Sequence, residues 1–307
     1  MSELLHGVVI RSTGSWYTVK TNDGKFYRCK LKGRFKIKGI RTTNPLAVGD
    51  QVAFRLTEIP ETGLIVQIGE RKNYIIRKAT NLSKATHIIA ANVDQAVLIA
   101  SLENPRTSTG FIDRFLVTSE AYHIPAVLVF NKFDLYSDQT KDQLNEVLSV
   151  YQAAGYRCLV TSAKTGYHLD ELKQLLKDKI SLLSGHSGVG KSALINRLDP
   201  SLHLKEGEIS KAHRKGKHTT TFAEMFSLNF GGEIIDTPGI KEFGLVGFEK
   251  AELGHRFPEI RKLMNHCRFS NCLHVSEPGC AVREAVEKGT FPAFRYKNYL
   301  NMLEDLD

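Results

Sequence analysis

Residues 185–192 have the pattern G-x-x-x-x-G-K-S, which is typical of phosphate-binding loops. They follow an apolar run that predicts a strand over 180–184, and they lead into a predicted helix over 193–198. Glycines let such a loop turn its backbone N–H groups toward phosphate oxygens, and the helix N-terminus adds partial positive charge. We therefore expect a bound nucleotide, with the Lys191 ammonium on the outer phosphates and the Ser192 hydroxyl on Mg²⁺. A chance match in a glycine-rich turn is the alternative.

Asn131, Lys132 and Asp134 form an N-K-x-D sequence directly after a predicted strand over 126–130. A carboxylate at Asp134 can accept two hydrogen bonds from N1–H and N2–H₂ of guanine. Adenine lacks this donor pair and would leave the carboxylate desolvated and unpaired, at a cost of about 1–3 kcal/mol or more. Alone the tetrapeptide is a weak signal, but beside a phosphate-binding loop it predicts selectivity for guanine.

Two more segments end predicted strands. Ser162, Ala163 and Lys164 follow a strand predicted over 157–161 and are similar to the second base-contacting loop of GTPases, although Ser-Ala-Lys could also cap a helix. Asp236 and Gly239 belong to D-T-P-G after a strand predicted over 233–235. The aspartate can hold Mg²⁺ through water and the glycine N–H can face a γ-phosphate, whereas an isolated Pro-Gly pair would only make a turn.

Three threonines, 219–221, precede another predicted strand over 222–228. We favour Thr220 as the residue that completes the Mg²⁺ shell, with Thr219 as the alternative; threonines also simply begin strands. The predicted magnesium ligands are Ser192, Thr220 and Asp236. The full predicted nucleotide site consists of Asn131, Lys132, Asp134, Ser162, Ala163, Lys164, Gly185, His186, Ser187, Gly188, Val189, Gly190, Lys191, Ser192, Ala193, Asp236 and Gly239.

Near the C-terminus, Cys267, Cys272, His274 and Cys280 place three thiols and one imidazole within a short segment. This donor set fills a tetrahedral Zn²⁺ shell and leaves no position for a catalytic water, so we predict one structural zinc ion. His266 adjoins the first cysteine and is a rival ligand. Reduced cysteines in a helical tail are the alternative. We interpret the two separate cysteines, Cys29 and Cys158, as packing residues.

These motifs must be positioned by more than one domain, because the chain has 307 residues. Residues 1–70 read as short strands over 4–10, 15–21, 25–31, 51–56 and 64–68, with Thr62-Gly63 as the last turn. They predict a small barrel, either an OB-fold or an SH3-like barrel. Residues 71–245 alternate strands with helices and predict an α/β domain with a mostly parallel sheet. Residues 246–307 show no strand pattern and predict a mainly helical zinc-binding domain.

The chain is basic, with a formal net charge of +9. Residues 1–70 contain 11 Lys and Arg against 6 Asp and Glu, a net of +5. From Arg28 to Lys38, cations occupy every second position, so on a strand they would share one face. OB-folds bind oligonucleotides on such surfaces, so we predict RNA contact, although a solvated charged face is the simpler interpretation. The predicted RNA-contacting residues are Arg28, Lys30, Lys32, Arg34, Lys36 and Lys38.

The order of the motifs is their most specific property. In ordinary GTPases the phosphate-binding loop precedes the base-reading elements, whereas here N-K-x-D at 131 and S-A-K at 162 precede the loop at 185. This circular permutation, between a small barrel and a Cys/His cluster, resembles the RsgA (YjeQ) family of bacterial GTPases over essentially the whole chain. The resemblance implies an OB-fold, a circularly permuted P-loop GTPase domain and a zinc-binding domain. It also implies His274 as the fourth zinc ligand.

The same resemblance implies GTP hydrolysis, with Mg²⁺, that is stimulated by the small ribosomal subunit and coupled to its late maturation. Ras-like GTPases orient the attacking water with a glutamine after D-x-x-G, but this chain has Ile240 there. Another group must therefore position the water. We expect His218 to position the water, beside Lys191 and Thr220 as catalytic residues; contact with RNA or simple packing is an equal alternative for His218. A GTP-gated RNA-binding switch with incidental hydrolysis is the competing function, and the N-K-x-D sequence disfavours an ATPase or kinase.

Partners beyond GTP or GDP would thus be the small subunit and its rRNA. No apolar run is long enough to span a membrane and no signal peptide is evident, so we expect a cytoplasmic protein without a membrane partner. No coiled-coil repeat or long apolar seam is present, which favours a monomer.

Overall fold

The computed structural model describes residues 3–32, 45–78, 86–204, 223–236 and 248–306. Strands near the N-terminus are β1 Leu4–Thr13, β2 Trp16–Thr21, β3 Phe26–Leu31, β4 Gln51–Leu56 and β5 Thr62–Ile68. They follow the order β1-β2-β3-β5-β4, and β4 pairs back onto β1 to close a barrel. Only the β3–β5 pairing among them is parallel, which makes a Greek-key path. This topology is that of the predicted OB-fold and excludes the SH3-like alternative.

The predicted turn at Thr62-Gly63 is wrong, because both residues belong to β5. The chain turns over residues 58–61 instead, where Glu61 has a φ of 56°. Gly63 is needed for close packing: a Cβ there would lie 2.7 Å from the Phe54 ring. The glycine therefore reports a tight barrel interior rather than a turn.

A short antiparallel hairpin, β6 Tyr74–Lys78 and β7 Thr86–Ala91, follows the barrel. The sequence reading did not predict it, since its apolar runs are short. A buried ion pair attaches this region to the barrel: Arg71 Nη2 lies 2.6 Å from the Asp50 carboxylate. The hairpin side chain Ile75 continues into the core of the next domain.

The central domain has a sheet of β8 Gln95–Ala100, β9 Ala126–Phe130, β10 Arg157–Val160, β11 Ile180–Ser184, β12 Glu224–Ser227 and β13 Glu233–Asp236. Its order is β10-β9-β8-β11-β13-β12, and β12 alone among these strands is antiparallel to its neighbour. The helices are α1 Thr109–Ala121, α2 Asp138–Ala153, α3 Leu169–Leu176 and α4 Lys191–Leu198. The predicted mostly parallel α/β domain is confirmed.

Both faces of this sheet are covered, which explains the continuous apolar run of β8. Ala96, Leu98 and Ala100 enter one core, together with residues of α1 and α2. Val97 and Ile99 enter the core on the opposite face, which contains residues of α3 and α4. Because strand side chains alternate, a strand buried on both faces is apolar at nearly every position. The buried exception in β8 is Gln95, whose Nε2 donates to the Leu175 carbonyl at 2.8 Å.

The barrel and the central sheet are joined edge to edge. Strand β1 pairs with β12 in antiparallel register, with Arg11 opposite Glu224. Val8 and Ile10, which also lie on β1, pack against the core of the central domain. On the neighbouring strand, Lys20 Nζ lies 3.1 Å from the Glu233 carboxylate. The barrel thus shares backbone, apolar and charged contacts with the α/β domain.

The C-terminal region contains helices α5 Lys250–Leu253, α6 Pro258–Leu263, α7 Ala281–Glu287 and α8 Ala293–Glu304, with no strand between residues 248 and 306. The predicted mainly helical region is confirmed. Its core includes Phe257, Ile260 and Tyr299, and Val117 of α1 joins it. Across the described parts of the chain, none of the helices has the length and apolar character needed to cross a bilayer.

Candidate active site and metal centre

The loop between β11 and α4 requires glycine at two points. Gly185 has a φ of 144°, and a Cβ there would overlap the Ile99 carbonyl oxygen. Gly190 has a φ of 95°, and a Cβ there would overlap the Asn131 side-chain amide. Helix α4 begins at Lys191, two residues before the predicted start. The loop therefore has the strand–loop–helix setting that phosphate binding needs.

Lys191 lies across the mouth of this loop. Its Nζ donates to the carbonyl oxygens of Gly185 at 2.6 Å and of His186 at 2.9 Å. Burial lowers the pKa of the Lys191 ammonium to about 8, and the Asp236 carboxylate opposes this shift. A phosphate oxygen is an anionic acceptor and binds an ammonium more strongly than a neutral carbonyl does. The side chain is therefore placed to meet a phosphate group.

The predicted magnesium ligands Ser192 and Asp236 are both nearly buried at this end of the sheet. Asp236 ends β13, opposite Leu183 of the parallel strand β11. Ser192 lies in the first turn of α4, directly after the loop. The Ser192 hydroxyl at the start of α4 and the Asp236 carboxylate at the end of β13 are hard oxygen donors, which Mg²⁺ prefers.

Asn131 connects three of the predicted motifs. It is only 1% exposed, and its Nδ2 donates to the Val189 carbonyl of the phosphate-binding loop at 2.9 Å. Its Oδ1 accepts from the Thr161 hydroxyl at 3.3 Å and the Ala163 N–H at 3.2 Å. One amide thus holds the N-K-x-D, S-A-K and P-loop segments against each other, a role that the sequence reading did not assign.

Asp134 is positioned by the neighbouring S-A-K loop. Its Oδ1 accepts from the Ser162 hydroxyl at 2.5 Å, and its Oδ2 lies 4.0 Å from Lys164 Nζ. Lys132 adopts a left-handed backbone conformation, with a φ of 67°, and its ammonium contacts the Asn104 carbonyl. The structure therefore brings Asp134, Ser162 and Lys164 together as the sequence predicted.

Several aromatic side chains support this site and were missed. Phe133 and Tyr167 stack with ring centroids 5.1 Å apart, and Tyr167 stacks on His168 at 3.8 Å. The Tyr136 hydroxyl donates to the Asn131 carbonyl at 2.8 Å. Phe111 of α1 lies against His186, with ring centroids 4.0 Å apart. No local spacing rule marks these residues, and two of the ring pairs, Phe133–Tyr167 and Phe111–His186, join residues that are distant in sequence.

Some predicted site residues lie outside the described residues. They are His218, Thr219 and Thr220 before β12, Gly239 and Ile240 after β13, and Arg34, Lys36 and Lys38 after β3. Their predicted roles stay predictions.

The Cys/His residues converge as predicted. The side-chain donor atoms of Cys267, Cys272, His274 and Cys280 all lie within 4.8 Å of one another. His274 Nδ1 lies 3.6 Å from Cys267 Sγ and 3.4 Å from Cys280 Sγ. A tetrahedral zinc ion with sulfur bonds of about 2.3 Å spaces its ligand atoms by about 3.8 Å, so this donor set fits a metal ion. His266, the rival ligand, is not part of the cluster.

The loop that carries these ligands is tightly held. The Glu277 carboxylate accepts from the backbone N–H groups of Leu273 at 2.7 Å, Val275 at 2.9 Å and Ser276 at 3.0 Å. The Tyr296 and Tyr299 hydroxyls of α8 donate to carbonyls of this loop at 2.6 and 2.8 Å. The metal centre is therefore attached directly to the C-terminal helix.

On the barrel, the predicted cationic face is present over the described residues. Arg28 and Lys30 are exposed on β3, and Cys29 between them is fully buried. Both cations lie over the Trp16 ring, with Arg28 Cζ at 4.8 Å and Lys30 Nζ at 4.4 Å from its centroid. Strand β3 ends at Leu31, so strand alternation places only Arg28 and Lys30 on this cationic face. Lys32 is exposed and lies just beyond the strand. The sequence reading did not single out Trp16.

A P-loop, guanine-reading loops in permuted order and a barrel on the sheet edge define a circularly permuted GTPase. Family models agree: an RsgA N-terminal domain matches residues 6–65 and an RsgA GTPase domain matches residues 68–246. The chain belongs to the RsgA GTPase family, whose members hydrolyse GTP.

Named relatives cover nearly the whole chain. A "Small ribosomal subunit biogenesis GTPase RsgA" from Christiangramia forsetii is 54% identical over 302 residues, covering 98% of this chain and 96% of the relative. RsgA 2 of Bacteroides thetaiotaomicron is 55% identical over 301 residues, covering 98% and 97%. Among solved structures, YjeQ from Thermotoga maritima is 36% identical with a TM-score of 0.80 and 99% coverage of both chains. YloQ, a circularly permuted GTPase, is 31% identical with a TM-score of 0.76, covering 99% and 95%.

Proposed function

We propose that this protein is a cytoplasmic, monomeric GTPase that binds the small ribosomal subunit and its rRNA and couples GTP hydrolysis to late maturation of that subunit. The observation that carries the GTPase function is the Asn131 amide, which holds the guanine-reading and phosphate-binding segments together in the permuted chain. The names of the relatives support the small subunit as the partner.

The geometry supports the proposed roles of Asp134, Lys191, Ser192 and Asp236, whereas those of Thr220 and Gly239 rest on the sequence. Asp134 reads the guanine N1–H and N2–H₂ groups, and Lys191 neutralises charge on the outer phosphates. Ser192, Asp236 and Thr220 hold Mg²⁺, directly or through water, and Gly239 faces the γ-phosphate. When bound, Mg²⁺ would neutralise the charge that develops between the β- and γ-phosphates. The chain itself contributes the orientation of the base and the exclusion of adenine.

We propose three functional domains: residues 1–70 bind RNA, residues 71–245 bind and hydrolyse GTP, and residues 246–307 bind one structural zinc ion. Three thiols and a buried imidazole that surround one point support zinc over harder metals. No fifth donor group is grouped with them among the described residues, which favours a structural role.

The first test is GTP turnover with and without purified small ribosomal subunits, using large subunits as the control. We expect small subunits alone to raise the turnover number by about tenfold or more, because GTPases that lack a complete catalytic set gain larger factors from partners. Equal rates with small subunits, with large subunits and without either would contradict the proposed partner. Analytical ultracentrifugation would test the monomer.

A GTP-gated RNA-binding switch is the second candidate function. It is favoured by Ile240, which occupies the position where a glutamine orients water in Ras-like enzymes. The two functions differ in one result: tight GTP-dependent binding to small subunits without faster hydrolysis supports the switch.

The His218→Ala variant tests the proposed water-positioning residue. Partner-stimulated turnover should fall by about 10²-fold, because a positioned general base contributes 10²–10⁴-fold. Affinity for GDP should be unchanged, which separates loss of catalysis from loss of binding. Full stimulation of this variant by small subunits would remove His218 from the mechanism.

The RNA-contacting face can be tested through the salt dependence of binding. Replacing Arg28 and Lys30 by glutamine should reduce the slope of log affinity against log salt by roughly 1–2, since each cation on single-stranded RNA contributes about 0.7. Replacing Lys141, a cation on α2 that pairs with Asp138, is the matched control and should leave the slope unchanged. An unchanged slope in the Arg28/Lys30 variant would contradict RNA contact by this face.

A further inference from the structure

Helix α1 touches the phosphate-binding loop at its first turn. The Phe111 ring packs on the His186 ring, with centroids 4.0 Å apart and planes tilted by 35°. The His186 carbonyl accepts a hydrogen bond from Lys191. A shift of Phe111 would therefore move the residue that holds the phosphate-facing ammonium.

The same turn of α1 is held by the C-terminal helix α8. Asp113 is fully buried, and its carboxylate accepts from Arg295 Nη1 at 2.6 Å and from Asn298 Nδ2 at 2.6 Å. Gly110, one residue before Phe111, also lies close to α8, because a Cβ there would be in van der Waals contact with Asn298 Oδ1 at 3.4 Å. The same turn of α1 thus contacts the phosphate-binding loop through Phe111 and helix α8 through Asp113.

Arg295 is itself fixed from several sides. It is 1% exposed and makes a bidentate ion pair with Glu259 of α6, at 2.9 and 2.7 Å. Its guanidinium lies 4.8 Å from the Phe257 ring centroid and 5.3 Å from that of Tyr151. A buried charge with these partners cannot move away from Asp113 without leaving a carboxylate unpaired. Arg295 therefore fixes the first turn of α1 relative to the C-terminal region.

We propose that Arg295 and Asp113 are positioning residues for the phosphate-binding loop: the C-terminal region sets Phe111 against His186 and thereby sets nucleotide affinity. The proposal rests on nucleotide binding at this loop. Coupling of this kind is reciprocal, so a partner that changes the position of α8 changes the affinity for GDP or GTP, and nucleotide binding changes the affinity for that partner.

A second contact between α1 and the C-terminal region provides a matched control. Arg261 pairs with Glu120 at 3.1 Å, joining the C-terminal region to the last turn of α1, at the end away from Phe111. The Arg261 side chain is half-exposed, whereas Arg295 is buried. The Arg261–Glu120 pair tests whether any contact on α1 affects the loop or only those at its first turn.

The experiment measures the dissociation constant and dissociation rate of a fluorescent GDP analogue, with Mg²⁺, on the zinc-loaded full chain. We expect Phe111→Leu and Arg295→Lys each to weaken GDP binding about fivefold or more. The double variant should be no weaker than the poorer single variant, because both changes act through one contact. Arg261→Gln should match the unchanged protein.

Unchanged GDP binding in Arg295→Lys that retains one zinc per chain and unfolds cooperatively would overturn the proposal. The proposal would also be overturned if the fold-changes of the two single variants multiply in the double variant. Free energies that add in this way show that the two residues act independently. Should Arg295→Lys fail to fold, Asn298→Ala takes its place: it keeps the ion pair and should weaken binding in the same direction. Failure of the unchanged protein to bind GDP would instead refute nucleotide binding at this loop.

Discussion

The Asp134→Asn variant is expected to bind GTP at least about 100-fold more weakly than the unchanged protein. The carboxylate can accept from both N1–H and N2–H₂ of guanine, and each hydrogen bond to a charged group contributes about 1.5–3 kcal/mol. An asparagine side chain offers one acceptor and turns an N–H donor toward the guanine amino group. Competition between a fluorescent GDP analogue and unlabelled nucleotides measures the loss.

The same competition measurement also tests whether the variant gains affinity for a different base. Xanthine carries a carbonyl oxygen where guanine carries the amino group, so the asparagine variant should bind xanthine nucleotides better than the unchanged protein does. Asp138→Asn is the matched control, since this carboxylate is exposed at the start of α2 and pairs with Lys141. If Asp134→Asn keeps its affinity for GTP and binds xanthosine triphosphate no better than the unchanged protein does, Asp134 does not read the base.

Removing the metal is the second large effect that we expect. Cys280→Ser should lower the zinc content from one per chain toward zero and destabilise the C-terminal region by several kcal/mol. Structural zinc contributes roughly 10–16 kcal/mol in small zinc-binding peptides. The Cys280 thiol also accepts from the Arg283 N–H and so caps α7. Zinc analysis together with thermal unfolding monitors both consequences.

Cys158→Ser is the control for this variant. This thiol lies outside the cluster and packs against the core of the central domain, so its replacement removes a cysteine without removing a metal ligand. It should retain one zinc per chain. A fully zinc-loaded Cys280→Ser variant with an unchanged unfolding temperature would refute the assigned ligand set.

Local patterns were sufficient to predict most strands, together with the motif-bearing loops that lie among the described residues. Strand β8 is recognisable by its apolar run, which burial of both its faces requires. The hairpin before β3 is recognisable by Asp23-Gly24, because glycine tolerates the φ of 82° found at Gly24. The metal ligands lie within one short segment, so their spacing alone predicts that they meet. In each case the information lies within a few residues.

Contacts between distant residues could not be predicted in this way. Asn131 binds the carbonyl of Val189, and Arg295 pairs with Asp113, which is 182 residues away. Nothing near Asp113 in the sequence indicates that a buried cation will neutralise it. The misplaced turn at Gly63 has a related cause, because glycine serves both turns and close packing, and only the neighbouring strand decides between them.

The edge pairing of β1 with β12 means that the barrel is not a detachable module. A shortened chain that begins after residue 70 would lose Val8 and Ile10 from the core of the GTPase domain. It would also leave the backbone of β12 without the strand that pairs with it, and bare sheet edges recruit other chains. Loss of activity in such a truncation would therefore report aggregation as much as loss of RNA contact, and point substitutions on the barrel surface are the sounder way to separate the two.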